Sequence, residues 1–251
     1  MKRYIFIILV LVFTLLATKT YAAKKVPILV YHHIDEYNEK GGSKALFVTP
    51  ENFEKQMIYL REHGFTLLTF EQWDLINQVE KPIFLTFDDG YKDNLNVMEV
   101  FQKIKNEKFQ PRGTFFVISD FIGWSNRLSA SELREISRSG LISVQSHTAT
   151  HPSLTSIDQF EYELRSPIDT IQKMTNRPVI AIAYPYGSFN SRVVEETKKY
   201  YKFGITTTPE LYSEKGLKDE LYLLPRIYIK YSTTIDEFER IVEGKYTRKK
   251  F

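Results

Sequence analysis

The strongest constraint on this chain is a rhythm. From Pro27 onward, eight apolar runs of strand length alternate with stretches whose apolar residues recur at helical spacing. The runs are "PILVYHH" (27–33), "FTLLTF" (65–70), "PIFLTF" (82–87), "GTFFVI" (113–118), "LISVQSH" (141–147), "PVIAIAYPYG" (178–187), "FGITTT" (203–208) and "LYLLPRIYI" (221–229). Helical stretches separate most of them, which is the pattern of a parallel sheet. Apolar residues on both faces of most runs call for a sheet covered on both sides. The fold class is therefore α/β, with a closed barrel and an open doubly wound sheet as the two candidates. No glycine-rich dinucleotide loop follows the first run, so a nucleotide-binding fold lacks its usual support.

Local signals place the helices. Thr49 and Pro50 read as N-cap and first helical residue, with Gly64 as the stop. His63 falls at that helix end, where a polar cap explains it. Ser129 and Glu132 have capping-box spacing, and Gly140 closes that helix. A helix over "IDQFEYELRSPIDTIQKMT" is expected to be disturbed at Pro167.

Residues 1–22 do not fit the rhythm. Lys2 and Arg3 precede an apolar run from Tyr4 to Ala17, and "TKTYAA" follows. This is the order of a signal peptide, and the run is short of the ~20 residues of a comfortable membrane span. Cleavage after Ala22 and export are expected, with an uncleaved membrane anchor as the alternative. The catalytic domain is then 23–251. Three of the 34 basic residues and none of the 31 acidic ones lie in 1–22, so the remainder is balanced at 31 of each sign. Such a balance gives no reason to expect nucleic-acid binding. A basic cluster at 245–250 is a solvated tail or a loose contact with an anionic wall or membrane surface. The absence of cysteine removes disulfides, thiol nucleophiles and cysteine-ligated zinc.

In a (β/α) barrel, functional residues collect at the C-terminal ends of the strands. Here Asp88 and Asp89 follow "PIFLTF", His147 and His151 follow "LISVQS", and His32 and His33 end "PILVY". Tyr186 and Arg226 lie in two further runs. Adjacent carboxylates repel each other. Asp-Asp-Gly is also a good turn sequence, so a solvated turn is the plain alternative. A divalent ion changes that balance, because one carboxylate can ligate while the other stays free as a base. Two histidines four residues apart can reach the same ion. Two imidazoles and a carboxylate with open positions make a catalytic rather than a closed structural site. Zinc is the first choice, and nitrogen and oxygen donors admit other transition metals. His32 and His33 point to opposite faces if the strand reaches them, so one of the two serves; the residues alone leave that choice even.

With "TFDDG" at 86–90 and "HTATHP" at 147–152, the chain resembles the polysaccharide deacetylases of carbohydrate esterase family four, the NodB homology domain. The resemblance runs over most of the chain from about Pro27. It implies a distorted, TIM-like (β/α) barrel of about seven or eight strands. It also implies Asp88 as base and Asp89, His147 and His151 as metal ligands. Two departures stand out. Ala183 occupies a position where many members carry arginine, and no histidine follows His151 to supply the general acid those members take from near the C-terminus. One branch looks circularly permuted, the poly-N-acetylglucosamine deacetylases of biofilm systems, whose acid histidine comes first in a Tyr-His pair. Tyr31-His32 matches it, which implies His32 as the acid. Arg226 is then a candidate to pair with Asp88 in place of the missing arginine, with a surface ion pair as its alternative. Tyr186 is a candidate oxyanion donor through its backbone N–H, its ring being core or sugar platform. Trp124 is the loop aromatic best suited to stack on a sugar, with ordinary packing as the alternative.

The implied activity is metal-dependent removal of N-acetyl groups from an N-acetylglucosamine polysaccharide, with poly-β-1,6-N-acetylglucosamine favoured. Peptidoglycan and chitooligosaccharides are alternative substrates. A non-catalytic glycan-binding module on the same fold is a rival of another class. The H-E-x-x-H pattern of the commonest zinc peptidases is absent.

Overall fold

The computed structural model describes residues 24–245. The expected leader over 1–22 and nearly all of the basic cluster at 245–250 lie outside the described residues. Among the described residues, no helix is long and apolar enough to cross a membrane.

Ten strands and six α-helices follow one another among the described residues. The strands are β1 (Ile28–Tyr31), β2 (His33–Ile34), β3 (Phe47–Val48), β4 (Phe65–Leu68), β5 (Lys81–Phe87), β6 (Gly113–Val117), β7 (Ile142–Ser146), β8 (Ala181–Ala183), β9 (Phe203–Ile205) and β10 (Ile227–Tyr228). The helices are α1 (Pro50–Glu62), α2 (Leu95–Ile104), α3 (Ala130–Arg138), α4 (Phe160–Thr175), α5 (Ser191–Thr197) and α6 (Ile235–Val242). The eight apolar runs become one eight-stranded sheet, ordered β10-β1-β5-β6-β7-β8-β9, with β4 paired to β5. Every pairing in it is parallel. Phe84 is partnered by Ile28 on one side and Leu68 on the other, so β4 takes the lower edge of β5 and β6 the upper. A parallel bridge between Ile205 and Leu224 links β9 to the chain leading into β10. The sheet curls into the distorted, TIM-like barrel expected from the resemblance, and the first strand lies beside the last.

The local signals work as physics requires. The Thr49 hydroxyl accepts the Asn52 N–H, and Ser129 and Glu132 form the reciprocal capping box. Pro167 corrects one expectation: α4 runs on through it. Its ring is buried on the same face as Leu164 and Ile171, and packing of that face outweighs one missing backbone bond. The run "LYLLPRIYI" is strand only at Ile227–Tyr228, because a 3-10 turn at Glu220–Tyr222 and Pro225 break its start. The short β2–β3 pair carries no sequence signal.

Two apolar clusters build the core. One lies between sheet and helices and takes Leu29, Tyr31, Ile83, Leu85 and Phe87. The other fills the barrel with Ile28, Phe84, Phe116, Ala181 and Phe203, with Phe70 and Ile76 added from the turn after β4. These memberships fix which way each strand residue points.

Candidate active site

Ile83, Leu85 and Phe87 face the helices, whereas Phe84 faces the barrel interior. Strict alternation carries the inward series on to Thr86 and Asp88. It would turn Asp89 back toward the helices. Asp89 instead has a left-handed backbone (φ 72), as does Gly90 (φ 65), and its carboxylate joins that of Asp88 in one pocket. Aspartate tolerates this conformation better than most residues. A Cβ on Gly90 would meet Val117 at 3.0 Å, so glycine is needed here for space as well as for φ.

Asp88 is buried and held by Arg226 through two parallel hydrogen bonds of 2.7 Å each. The guanidinium is itself only 1% exposed, which overturns the surface-pair alternative. Its other donors reach the Thr206 carbonyl (2.9 Å) and the Thr86 hydroxyl (3.0 Å), which in turn donates to the Leu29 carbonyl. Burial works against ionisation of Asp88, but Arg226 and then His147 outweigh it and hold its pKa below the ordinary carboxylate value. The arginine absent at Ala183 is thus supplied from the chain just before β10.

His147 follows β7, and its Nδ1–H donates to the Ala183 carbonyl at 2.8 Å. That bond fixes the tautomer and turns the Nε2 lone pair toward Asp89. His151 sits one tight loop later, with Thr148 (φ 68) and His151 (φ 65) both left-handed. The buried Glu163 carboxylate on α4 clamps this loop by accepting the Ala149 and Thr150 N–H groups and the Thr150 hydroxyl. Backbone strain of ~1–3 kcal/mol per residue persists only where the surroundings enforce it.

The three expected ligands converge. His147 Nε2 and His151 Nε2 are 3.2 Å apart, and Asp89 Oδ1 lies 3.4 and 3.5 Å from them. A tetrahedral ion with bonds of roughly 2.0–2.1 Å needs donor–donor edges of about 3.3–3.4 Å. The donor set therefore fits a divalent ion such as zinc. Asp88 Oδ2 stands 3.9 Å from His147 Nε2, adjacent to the set and already paired with Arg226. Burial raises the Asp89 pKa, but His147 first and then the other nearby imidazoles hold it well below the ordinary value. Burial and His147 push His151 down to about 4. Burial also lowers His147, yet Asp88 and Asp89 more than compensate and raise it.

The two opening histidines separate. Val30 of β1 is level with Thr86 of β5, so the next inward position, His32, is level with Asp88. Burial lowers the His32 pKa, and the next two influences are the charges of Asp88 and Asp89, which places its ring within their field. Its Nδ1 is buried without a hydrogen-bond partner, and the Tyr228 ring stands edge-on to it at 5.2 Å. His33 points the other way, is 4% exposed, and binds Asp93 Oδ2 through Nδ1 at 2.6 Å.

Tyr186 has φ 60 on the turn after β8, and its ring lies 4.8 Å from that of His151. At 70% exposure it is not a core residue, which removes that alternative. Trp124 is 55% exposed, on the loop after β6, and stacks on Phe121 at 4.1 Å; the fully packed reading fails for it too. Sequence reasoning missed Tyr91, Tyr228 and Arg127. Tyr91 directly follows "DDG", and its phenol is pushed up to about 12 by burial and then by Asp89. Tyr228 is raised by burial and then by Asp88 and Asp89. Adjacency to "TFDDG" was the one available signal, and it applied only to Tyr91.

Known proteins resemble this chain in sequence and in fold. The family model described as Polysaccharide deacetylase matches residues 76–203, a span that holds Asp88, Asp89, His147, His151 and Tyr186 but neither His32 nor Arg226. A polysaccharide deacetylase of Bacillus cereus, known from its crystal structure, is 48% identical with a TM-score of 0.86; the match covers 88% of this chain and 69% of that one. YxkH of Bacillus subtilis is 30% identical over 235 residues, 90% of this chain and 79% of its own. The poly-beta-1,6-N-acetyl-D-glucosamine N-deacetylase of Staphylococcus epidermidis is 25% identical over 81% of this chain and 77% of its own. A site of this geometry, on this barrel, in a chain so related, belongs to the polysaccharide deacetylase family, and the protein is a deacetylating hydrolase.

Proposed function

We propose that the protein removes N-acetyl groups from an N-acetylglucosamine polymer outside the cell, in a reaction that depends on a divalent ion, with poly-β-1,6-N-acetylglucosamine as the preferred substrate. One observation carries the reading: a buried, ionised carboxylate, Asp88, sits beside the Asp89–His147–His151 set without belonging to it. Asp89, His147 and His151 are the ligands. The ion supplies Lewis acidity toward the acetyl carbonyl and a more acidic water.

The remaining chemistry falls to side chains of this chain. Asp88, kept ionised by Arg226, accepts a proton from the attacking water. The water oxygen bonds to the acetyl carbon while the carbonyl electrons move onto oxygen. The Tyr186 N–H is the proposed donor to that oxygen, and losing one such donor costs ~10²–10³ in rate. The carbon–nitrogen bond then breaks, His32 gives its proton to the departing amine, and acetate leaves. A depressed pKa makes protonated His32 the stronger acid. General acid–base help of this kind is worth ~10²–10⁴. Exposed Trp124 and Tyr186 offer faces on which sugar rings can stack.

The substrate preference rests on the likeness to the staphylococcal deacetylase and on the Tyr31-His32 order. Export, expected from residues 1–22, agrees with an extracellular polymer. The test is acetate release from poly-β-1,6-N-acetylglucosamine, peptidoglycan and chitooligosaccharides, with and without added divalent ions. Fastest release from the β-1,6 polymer is expected. Faster release from either of the others reassigns the substrate, and glycan binding without release from any of them supports the non-catalytic module.

A further inference from the structure

A concentration of positive charge lies at the opposite end of the strands from the candidate active site. α3 leads into β7 and α4 into β8, so the C-terminal ends of both helices stand at the foot of these paired strands. The Asp89–His147–His151 set instead follows the strands' C-terminal ends. Between the two helix ends is a hollow of about 430 Å³ whose lining includes Arg134, Arg138, Lys173, Asn176 and Arg177. No carboxylate lines it, and its four cations are exposed.

Cations on other helices are answered by acids. Lys55 pairs with Glu51, Lys103 with Glu54 and Lys199 with Glu196. Arg165, on the same helix as Lys173, has Asp169 at 3.8 Å. Among the described residues, no acid pairs with Arg134, Arg138, Lys173 or Arg177. Helix ends use basic side chains in two ways, and neither accounts for this group. A last-turn cation offsets the helix dipole, which suits Arg138 and Lys173. Arg134 lies a turn earlier and Arg177 lies beyond the end of α4. A cation can also donate to a helix-end carbonyl, as Arg112 does to Gly140 at 2.9 Å. Among the described residues, none of the four lining cations makes such a bond.

Arg134 and Arg138, four residues apart on one helix, repel each other. Lys173 and Arg177 around the same hollow add to that repulsion, which a bound anion relieves. A concave wall also focuses the field of its charges. Asn176, left-handed at φ 54, adds a neutral amide to the lining. We propose that this hollow between the ends of α3 and α4 binds a terminal phosphate group, either free or carried by a lipid. Guanidinium forks match phosphate oxygens in pairs. A terminal phosphate has three oxygens to share among the three arginines and Lys173, whereas a carboxylate has two. Its place at the foot of the barrel leaves the mouth open when the hollow is filled.

The experiment titrates the full-length protein with inorganic phosphate by calorimetry at low ionic strength. In a second arm the protein is sedimented with phosphatidylcholine vesicles, with and without phosphatidic acid. One saturable site is expected. Arg134→Gln combined with Arg177→Gln keeps both last-turn cations and should weaken binding ~10-fold for each arginine lost. Lys55→Gln combined with Lys199→Gln removes the same charge elsewhere and should leave the affinity unchanged. Thermal transitions check that both double variants fold. Sedimentation that needs phosphatidic acid and the two arginines assigns the lipid headgroup. Saturable inorganic phosphate without such sedimentation assigns the free ion. No saturable binding of either probe overturns the proposal, as does an unchanged affinity in the arginine variant or an equal loss in both variants. Acetate release enters none of these readings, so failure of the proposed reaction leaves them standing.

Discussion

Phe87 and Asp88 are neighbours in the chain and opposites in the fold. Phe87 faces the helices and packs against Tyr31, Phe53 and Phe115. Asp88 faces the barrel and meets Arg226 and the histidine cluster. The same division separates Tyr31 from His32. The outward face is apolar along the length of these strands, whereas the inward face is apolar at Ile28 and Phe84 and becomes polar at Thr86, Asp88 and His32. Stability and chemistry are therefore carried by residues one position apart, and substitutions can pull them apart.

The largest expected effect is on the inward side. Asp88→Asn should retain the divalent ion and lower acetate release by ~10²–10⁴, measured as kcat at saturating ion. Phe87→Ala should do the reverse, costing ~3–5 kcal/mol in denaturant unfolding while the folded fraction turns over normally. A normal rate in the first variant, or a crippled but stable second, breaks the division.

Arg226→Met tests whether charge at the polar end is held by pairing. It leaves Asp88 buried without its partner, a loss of ~3–5 kcal/mol. In the native protein the Asp88 pKa is depressed, so its contribution to stability is complete above its unfolded value of about 3.9 and is lost as pH falls through the folded value. Without Arg226, burial dominates and the pKa rises. The acidic limb of the kcat/KM profile should then move to higher pH, and an unmoved limb would remove Asp88 from the base role.

The histidine pair gives a finer contrast. His32→Ala should lower kcat by ~10² with zinc binding intact, and His33→Ala, whose ring turns away onto Asp93, should leave kcat within a few-fold of normal. The opposite assignment would exchange their roles. The smallest effect belongs to Thr86→Val, which removes a hydroxyl bonded to Leu29 and Arg226. It should cost ~1–3 kcal/mol in thermal unfolding and leave kcat within a few-fold of normal.

The strand rhythm made the parallel α/β sheet legible because each run carries its own apolar signal and its own turn chemistry; the family resemblance, not the rhythm, chose the barrel over an open sheet. The convergence of Asp89, His147 and His151, the proposed ligands, was legible because "TFDDG" and "HTATHP" are compact and end strands. The choice between His32 and His33 could not be read from the strand itself. "ILVY" is apolar at every position, so its inward and outward faces are indistinguishable until the register with β5 is known. Arg226 and Asp88 are 138 residues apart, and no local pattern joins them. Asp89, Thr148 and His151 adopt left-handed backbones that their residue types do not announce. Tyr91 and Asp93 meet His33 through loops, where neither periodicity nor spacing applies.

Ion stoichiometry tests the central claim most directly. Equilibrium dialysis of the purified protein against zinc should give one ion per chain, and the paired variant His147→Ala with His151→Ala should retain none while Asp88→Asn retains it fully. Undiminished zinc in the double-histidine variant, or its loss in Asp88→Asn alone, would contradict the account.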